Sequence, residues 1–336
     1  MRPARFDIVA IGNALVDVLC HQQDDFLDRF ALAKGLMSPI APDRAVLLHR
    51  AMGDCEEISG GSAANTLAAL ATVNLGTGAP RCAFIGQVGK DRLGQLFADD
   101  MTASRIHFPL PAIDVPTGRC LIIVSPDGHR TMNTAIGASE YLPGAALDRD
   151  LIADAAILYV EGYMWRTPEP RAAVYEAIEI AHAHGRKVAL TLASEFVISE
   201  HRVELLDMIE ARKIDILFAN EGEIAALSQS GDFDAGVAWL AERVPLLIAT
   251  RGPDGAIAIE QGRRYEAPAE ALGPLLDTTG AGDLFAAGVF AGLIAGRDLQ
   301  TTLRMGSIAA GRVITLMGPR LPAGDDLGAL IAERLR

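Results

Sequence analysis

The chain has 336 residues, which is enough for one large α/β domain or two small ones with a substantial apolar core. Half of the residues are hydrophobic and 22% are charged, a composition that excludes extended disorder and indicates a compact soluble protein. The 30 basic and 43 acidic residues give a formal net charge of −13 and form no dense basic cluster, which argues against nucleic acid as a partner.

The N-terminal segment places basic residues before an apolar run, as a signal peptide does. Asp7, Asn13 and Asp17 interrupt that run, so a buried first strand explains it better. No uninterrupted apolar stretch approaches the roughly 20 residues that a membrane-spanning helix needs. We therefore predict a cytoplasmic protein without a membrane partner.

Short apolar runs rich in β-branched residues alternate with longer segments of helical periodicity. In chain order, we predict strands at residues 6–12, 82–89, 155–162, 187–192, 214–223 and 245–252. Helices are predicted between them, among others at residues 63–74, 170–184 and 232–242. The strand runs tend to end in Gly, Asn or Thr, which suits parallel strands whose carboxyl ends carry functional loops. This alternation predicts a doubly wound α/β sandwich, as one domain over residues 1–336.

Residues 106–136 interrupt the alternation of strands and helices. The stretch IHFPLPAIDVPTGRCLIIVSPDGHRTMNTAI is rich in strand formers, contains the turn sequence SPDGHR and shows no helical period. It predicts a β-hairpin that projects from the edge of the sheet, where it would cover a bound ligand.

Four cysteines are widely spaced along the chain, and none belongs to a C-x-x-C pair: Cys20, Cys55, Cys82 and Cys120. That spacing gives little support to a disulfide framework or to a structural zinc site. We therefore predict four free thiols.

The stretch LLDTTGAGDLFAAGVF, residues 275–290, sets a Gly-Ala-Gly turn directly before a helix of small residues. A helix N terminus exposes unpaired backbone N–H groups and carries roughly half a positive charge. Gly280, Ala281 and Gly282 leave those groups open, so the turn is typical of a phosphate or oxyanion site. A carboxylate repels a phosphate, so we interpret Asp283 as the base that takes a proton from an attacking hydroxyl. The alternative is that Asp283 only complements the helix dipole.

Two common nucleotide-binding motifs are missing from the sequence. It contains no G-x-x-x-x-G-K-[ST] loop, and no G-x-G-x-x-G fingerprint follows a predicted strand. Phosphoryl transfer would therefore need another kind of nucleotide site, and a dinucleotide-dependent oxidoreductase is disfavoured.

The sequence resembles the ribokinase-like (PfkB) family of carbohydrate and nucleoside kinases over nearly its whole length. DTTGAGDLFAAGVFAGL (277–293) is similar to the C-terminal signature of that family, and GGSAANTLAALATVNLG (60–76) to its N-terminal signature. Further family motifs follow in the expected order: GNALVDVL, IGQVGKDRLGQLF, DGHRTM, NEGE and TRGPDGA. The resemblance implies a three-layer α/β/α sandwich with a mostly parallel sheet and a small β-lid, drawn from about residues 13–40 and 106–136.

The resemblance also implies a kinase that uses ATP and Mg²⁺, and it assigns catalytic roles to matching positions. Asp283 would deprotonate the acceptor hydroxyl, the Gly280–Gly282 turn would be the anion hole, and Arg130 would swing in from the lid. Asn220 and Glu223 would organise Mg²⁺ through its waters. A pair spaced i, i+3 at the start of a helix is also typical of a simple helix cap.

Other matching positions would bind the two substrates. The residues expected against ATP are Thr250, Gly252 and Gly255. The residues that match acceptor-binding positions of the family are Asn13, Asp17, Gly60, Gly61 and Asn65. The Asp17 carboxylate can accept hydrogen bonds from neighbouring sugar hydroxyls, and Gly60-Gly61 would be the hinge of the lid. Asp277 and Thr279 resemble part of a monovalent-cation loop in some members, which implies a K⁺ site.

Two passages, residues 17–35 and 190–227, are most similar to adenosine kinases. The second contains Phe196, where adenosine kinases place an aromatic side chain near the nucleoside. Tyr163 and Met164 stand where those enzymes tend to have two consecutive aromatic residues, and a thioether can pack on a purine face. We therefore expect a small-molecule acceptor, either a purine nucleoside or a free sugar or sugar acid such as ribose, fructose or 2-keto-3-deoxygluconate. A non-catalytic binding protein on the same fold is a further alternative, and the protein would be a monomer or a homodimer.

Overall fold

The computed structural model describes residues 4–76, 78–127 and 129–336, so that Gly128 of the predicted lid turn lies outside the described residues. The strands of the described ranges are, in chain order, β1 (Phe6–Ile11), β2 (Leu15–His21), β3 (Met37–Pro39), β4 (Glu56–Gly60), β5 (Cys82–Ile85), β6 (Gly118–Val124), β7 (Arg130–Ala135), β8 (Ala155–Glu161), β9 (Lys187–Thr191), β10 (Ile216–Asn220), β11 (Leu246–Thr250), β12 (Ala256–Glu260) and β13 (Arg263–Ala267). The α-helices are α1 (Asp24–Arg29), α2 (Pro42–Met52), α3 (Ser62–Leu70), α4 (Arg92–Ala103), α5 (Arg149–Ala153), α6 (Pro168–Ala183), α7 (Glu195–Glu210), α8 (Glu221–Ser228), α9 (Phe233–Ala241), α10 (Ala281–Ile294), α11 (Leu299–Val313) and α12 (Leu327–Arg334). None of these helices is both long and apolar enough to cross a membrane.

Eight strands form the main sheet, in the order β13-β12-β11-β10-β9-β8-β1-β5. The six strands predicted from apolar runs, β1, β5, β8, β9, β10 and β11, all pair in parallel. Their near-continuous apolar sequences are typical of strands that helices cover on both faces. Strands β12 and β13 add an antiparallel edge beyond β11 that the sequence pattern did not predict, because β13 carries mostly charged residues.

Alternate residues of β1 enter two different apolar layers. Ile8 and Ala10 belong to a cluster that includes residues of α3, α10 and α11, whereas Val9 and Ile11 belong to a cluster with α6 to α9. Successive side chains of a strand point to opposite faces of the sheet, so the two clusters lie on its two sides. This confirms the predicted three-layer α/β/α sandwich.

A second sheet of five strands, in the order β3-β7-β6-β2-β4, lies where a lid is predicted, and we call it the lid sheet. Its strands β6 and β7 pair as an antiparallel hairpin. Strand β4 also belongs to the lid sheet through antiparallel pairing with β2, although residues 56–60 lie outside the predicted lid ranges. The segment before β6 does not extend the lid sheet, because His107 and Ile113 form isolated bridges to Ala83 and Gly89.

Cys20 and Cys55 form a disulfide bond that joins β2 to the residue before β4. The antiparallel register of β2 and β4 makes these two residues the next pair across the strands. The prediction of four free thiols is therefore wrong for this pair, whereas Cys82 and Cys120 are free and buried. The two bonded cysteines are 35 residues apart in the sequence, and only the long-range pairing of β2 with β4 brings them together.

Candidate active site

Two cavities meet at the N terminus of α10. The first, of about 260 Å³, lies at the carboxyl ends of the parallel strands, and its walls include Tyr163, Asn220, Glu223, Thr250, Gly282 and Asp283. The second, of about 380 Å³, is mostly apolar, and its walls include Thr250, Gly252, Gly255, Gly282 and Ala310. Because Thr250 and Gly282 line both cavities, a ligand in one would lie next to a ligand in the other. This end of the strands is the usual binding place in a doubly wound sheet.

The Asp283 carboxylate lies half-buried in the first turn of α10. Its Oδ1 accepts a hydrogen bond from Ser62 Oγ at 2.6 Å, and its Oδ2 accepts one from Asn65 Nδ2 at 2.9 Å. Burial raises the pKa of Asp283, and these two hydrogen bonds oppose that rise. A Cβ atom at Gly282 would meet no other atom within 4 Å, so the space beside the carboxylate is open. The arrangement holds an oriented proton acceptor next to the start of a helix.

The structure gives Asn65 a second task besides the acceptor binding that the sequence predicts. Its amide nitrogen is committed to Asp283, while its Oδ1 is buried and has no hydrogen-bond partner among the described residues. Buried polar atoms are rarely left unpaired, so this oxygen suits a hydroxyl donor of a ligand. Ser62, which sequence reasoning missed, is the other support of Asp283. Both side chains come from the first turn of α3, directly after Gly60-Gly61.

Asp17 on β2 lies against Gly60 at the end of β4. A Cβ atom at Gly60 would stand 2.6 Å from Asp17 Oδ2, so the carboxylate occupies the space that a side chain would need. Gly61 has a φ of 96°, and a Cβ atom there would stand 2.2 Å from the Asn13 backbone oxygen. Four of the predicted acceptor-binding residues therefore lie together, and close packing requires both glycines.

Arg320 is a charged residue of this site that the sequence analysis did not single out. Its Nε donates a hydrogen bond to the Ser59 backbone oxygen at 3.0 Å, and its Nη2 is buried without a partner in the described part of the chain. Burial raises the pKa of Asp17 to about 7, and the charge of Arg320 is the main influence that opposes the rise. The same charge favours the ionised form of Asp283. Arg320 therefore helps to keep both carboxylates charged.

Arg130 on β7 joins the lid sheet to the loop before α10. Its Nη1 lies 2.7 Å from Asp277 Oδ2 and 3.2 Å from Thr279 Oγ1. Asp277 Oδ1 accepts hydrogen bonds from the Thr279 backbone N–H and hydroxyl, and Asp277 Oδ2 accepts one from the Gly318 N–H. Both oxygens of Asp277 are thus engaged, one of them by a guanidinium cation. In this conformation Asp277 and Thr279 do not fit the K⁺ site that the resemblance implies.

Asn220 and Glu223 form a capping box at the start of α8. Asn220 Oδ1 accepts a hydrogen bond from the Glu223 N–H, and Glu223 Oε2 accepts one from the Asn220 N–H, each at 2.9 Å. Burial raises the pKa of Glu223 to about 7. In the described ranges no group of three or more His, Cys, Asp or Glu side chains could hold a metal ion directly. A single carboxylate fits Mg²⁺ held through water, since Mg²⁺ keeps several waters when it binds nucleotide phosphates.

The three residues predicted near a nucleoside base occupy different environments. Tyr163 lines the first cavity. Met164 is 1% exposed and packs in the apolar layer with Trp165, so its prediction as a substrate-binding residue is corrected to a packing role. Phe196 is 50% exposed in the first turn of α7, and the Arg166 guanidinium lies 5.7 Å from its ring centroid. A half-exposed aromatic ring is free to cover a ligand.

The residues predicted against ATP, Thr250, Gly252 and Gly255, all line the apolar second cavity. Gly255 has a φ of 90°, and a Cβ atom there would stand 2.2 Å from the Ala267 backbone oxygen. Packing of the backbone against β13, rather than close approach of a nucleotide, therefore explains why this position is glycine.

The lid sheet carries an apolar cluster that sequence reasoning also missed. The cluster consists of Leu19, Cys120, Ile122, Val124 and Met132, and it is separate from the two main apolar layers. Strand alternation and register place it on the same face as Asp17 and Arg130. Arg130 contacts Asp277, and the charge of Asp283 raises the pKa of Asp17, so this face of the lid sheet is turned toward the site. The site thus has charged groups at the carboxyl ends of the main sheet and an apolar surface on the facing lid sheet.

A comparison with models of protein families decides the family. The model described as pfkB family carbohydrate kinase matches residues 36–325. The chain belongs to the PfkB family. As a member of this family, the protein is a phosphotransferase with a hydroxyl group as the acceptor. This confirms the resemblance seen in the sequence motifs.

Relatives of this PfkB kinase include nucleoside kinases. The adenosine kinase of Saccharomyces cerevisiae is 25% identical over 338 residues, which cover 94% of this chain and 97% of that protein. The guanosine-inosine kinase of Escherichia coli is 30% identical over 267 residues, which cover 74% of this chain and 58% of that protein. These similarities support a nucleoside or sugar kinase.

Two solved structures are similar over almost the whole length of this PfkB kinase. The adenosine kinase from Sinorhizobium meliloti is 40% identical, covers 99% of both chains and has a TM-score of 0.88. The probable sugar kinase from Rhizobium etli CFN 42 is 37% identical, covers 98% of this chain and 99% of the other, and has a TM-score of 0.89. These structures confirm the ribokinase-like fold and show that the chain is similar to adenosine kinases.

Proposed function

We propose that the protein transfers the γ-phosphoryl group of ATP to a primary hydroxyl of a purine nucleoside such as adenosine. The observation that carries this proposal is the position of Asp283, where the two cavities meet. Ser62 and Asn65 orient both of its oxygens, and the open side of Gly282 leaves room for a phosphoryl group. A base between two adjoining ligand sites is what direct transfer from nucleotide to hydroxyl requires.

The charged groups of the site divide the work of transfer. Asp17 and the unpaired Oδ1 of Asn65 accept hydrogen bonds from the sugar hydroxyls of the acceptor. Asp283 takes the proton of the attacking hydroxyl as the new oxygen–phosphorus bond forms, while the bond from the γ-phosphorus to the bridging oxygen of ATP breaks and ADP leaves. The backbone N–H groups of Gly280 and Gly282, and the Arg130 guanidinium once it leaves Asp277, would stabilise the charge on the phosphoryl oxygens. The Ala281 N–H, by contrast, already donates to the Thr278 backbone oxygen at 3.1 Å.

The second cavity is the proposed binding site of ATP. Its mostly apolar walls suit the base of ATP, and Thr250 and Gly282 mark where the phosphates would reach the first cavity. Glu223 would hold Mg²⁺ through a water molecule. The bound ion would neutralise charge on the transferred phosphates.

The apolar cluster of the lid sheet favours a nucleoside over a free sugar. A flat base buries apolar surface against Leu19, Ile122 and Met132, whereas the hydroxyls of a free sugar would find no hydrogen-bond partners in those side chains. The similarity to a probable sugar kinase supports a sugar or sugar acid as the second candidate acceptor. The two hydrogen bonds that orient Asp283 argue against a non-catalytic binding protein.

The test is ATP consumption with Mg²⁺ across adenosine, guanosine, inosine, cytidine, ribose, fructose and 2-keto-3-deoxygluconate. The proposal predicts turnover of roughly 1 to 100 s⁻¹ with a purine nucleoside. It also predicts that Ile122→Asn raises the KM for that nucleoside about tenfold, since it places an amide against the base. A preference for a free sugar would overturn the nucleoside assignment, and silence across the panel would favour the non-catalytic alternative.

A further inference from the structure

The last residue of β8, Glu161, is a fully buried carboxylate that belongs to no family motif named above. Its Oε1 accepts a hydrogen bond from the Asn13 N–H at 2.7 Å, and its Oε2 accepts one from the Ala63 N–H at 2.9 Å. These partners are 148 and 98 residues away in the sequence. One side chain at the carboxyl end of an inner strand therefore links two segments of the site that are far apart in the sequence.

The first of these segments follows β1 and carries Asn13, which the sequence predicts to bind the acceptor. The backbone N–H of Asn13 is held by Glu161, and the Asn13 side chain also hydrogen-bonds to the same carboxylate. Gly12 leaves room for this contact, because a Cβ atom there would stand 2.6 Å from Glu161 Oε2. The position of Asn13 thus depends directly on Glu161.

The second segment is the first turn of α3, whose side chains orient the proposed base, Asp283 of α10. Ala63 stands next to Ser62, and both Ser62 and Asn65 donate hydrogen bonds to Asp283. The helix begins directly after Gly61, and this glycine has no side chain that could fix the position of the first helical turn. The hydrogen bond from the Ala63 N–H to Glu161 therefore fixes the first turn of α3 at the end where it orients Asp283.

Burying a carboxylate costs more free energy than burying a neutral hydrogen-bond acceptor. Burial raises the pKa of Glu161 to about 7, and the hydrogen bonds from the Asn13 and Ala63 N–H groups oppose that rise. An apolar residue would leave both N–H groups buried and unpaired, and a carboxamide could accept only with its single oxygen. Of these side chains, a carboxylate alone serves both segments at once.

We infer that Glu161 is a positioning residue, which sets the acceptor-binding loop and the base-orienting turn of α3 at a fixed distance from each other. This inference rests on the proposed function, because it assigns a purpose to the geometry around Asp283. Glu161 touches neither substrate in this account. It acts through Asn13 on the acceptor and through Ser62 and Asn65 on Asp283.

The kinetic test compares wild type with Glu161→Gln and with the control Val188→Ala. Val188 is a fully buried residue of β9, and it lies in the apolar layer on the side of the sheet away from α3. Misplacement by about 1 Å can lower a rate by roughly 10²-fold, so we expect E161Q to lose that much in kcat/KM for the acceptor while its KM for ATP stays within about twofold. Val188→Ala should lower the Tm yet leave both values near those of wild type. An E161Q enzyme with an unchanged kcat/KM for the acceptor, or with a KM for ATP raised about tenfold or more, would overturn the inference.

A second variant and a second measurement distinguish failure of this inference from misfolding of the variant and from failure of the proposed function. If E161Q does not fold, Glu161→Asp replaces it, because a side chain shorter by one methylene group draws the carboxylate away from the Asn13 and Ala63 N–H groups. Hydrogen exchange of peptides covering residues 12–14 and 61–66 should be at least about tenfold faster in the variant, and unchanged exchange would overturn the positioning role even if wild type were inactive. An inactive wild type would overturn the proposed function alone.

Discussion

Replacing Asp17 with Asn should stabilise the folded protein at pH 8 while removing the carboxylate that we propose to bind the acceptor. Burial raises the pKa of Asp17 from 3.8 to about 7 in the folded protein. Between these values the folded state binds the proton more tightly than the unfolded chain does, so stability falls as the pH rises from about 4 to about 7. Asparagine carries no charge at any pH, and it keeps nearly the same shape against Gly60.

The expected magnitude follows from the two pKa values. Their difference corresponds to roughly 4 kcal/mol of unfavourable charge burial at pH 8, which is an upper limit because Asp17 is only half-buried. At pH 5 most of the folded protein already carries the proton. The stability advantage of D17N should therefore grow by roughly 2 to 3 kcal/mol between pH 5 and pH 8. The pH responses of Glu161 and Glu223 should cancel in the difference, because Asp17 is not among the main causes of their pKa shifts.

The assay is urea-induced unfolding of wild type and D17N at pH 5, 6, 7 and 8, with Asp25→Asn on the exposed side of α1 as the control. The control should keep a constant difference from wild type across this range. The activity of D17N should be lower than that of wild type, because in the proposed function the ionised carboxylate accepts the hydrogen bonds of the acceptor. A difference between D17N and wild type that does not grow with pH, or a less stable D17N at pH 8, would refute this reasoning.

Two more predictions test the packing around the lid sheet. Reduction of the Cys20–Cys55 disulfide, or Cys20→Ser with Cys55→Ser, should lower the free energy of unfolding by roughly 3 to 4 kcal/mol, as expected for closure of a loop of this length. Thiol titration of the unfolded, unreduced protein should find two free cysteines, and four would disprove the bond. Gly61→Ala should abolish most activity and cost at least about 2 kcal/mol of stability, since its methyl group would meet the Asn13 backbone oxygen. Calorimetry should show a much smaller change for Gly231→Ala, where a Cβ atom meets nothing within 4 Å.

The sequence predicts the parts of the fold that depend on local pattern. The six parallel strands follow from apolar runs, and the Gly280–Gly282 turn with Asp283 follows from the chemistry of a helix N terminus. Strand β4 escapes prediction because EEISG carries two glutamates and a glycine, and only its pairing with β2 makes it a strand. The same long-range pairing hides the disulfide.

The supports of the site are harder to predict than its motifs. Ser62 lies within the N-terminal family signature but has no role predicted from it, and Glu161 lies outside the family motifs. Both become significant only when folding brings α3, β8 and α10 together. Met164 shows the opposite case, in which a position expected at the ligand from a resemblance turns inward to the apolar layer. Contacts between residues about 100 or more positions apart create the roles of Ser62 and Glu161, and no local pattern records such contacts.

The most direct test of the central claim is a comparison of wild type with Asp283→Asn in phosphoryl transfer from ATP to adenosine, with the product identified by ³¹P NMR. Asparagine keeps the shape and one acceptor oxygen but cannot take the proton of the attacking hydroxyl. If Asp283 is the base, we expect adenosine 5′-monophosphate as the wild-type product, a loss of roughly 10² to 10⁴ in kcat for D283N, and nearly unchanged ATP binding. A D283N enzyme within about tenfold of the wild-type rate, or a wild type that transfers the phosphoryl group only to water, would contradict it.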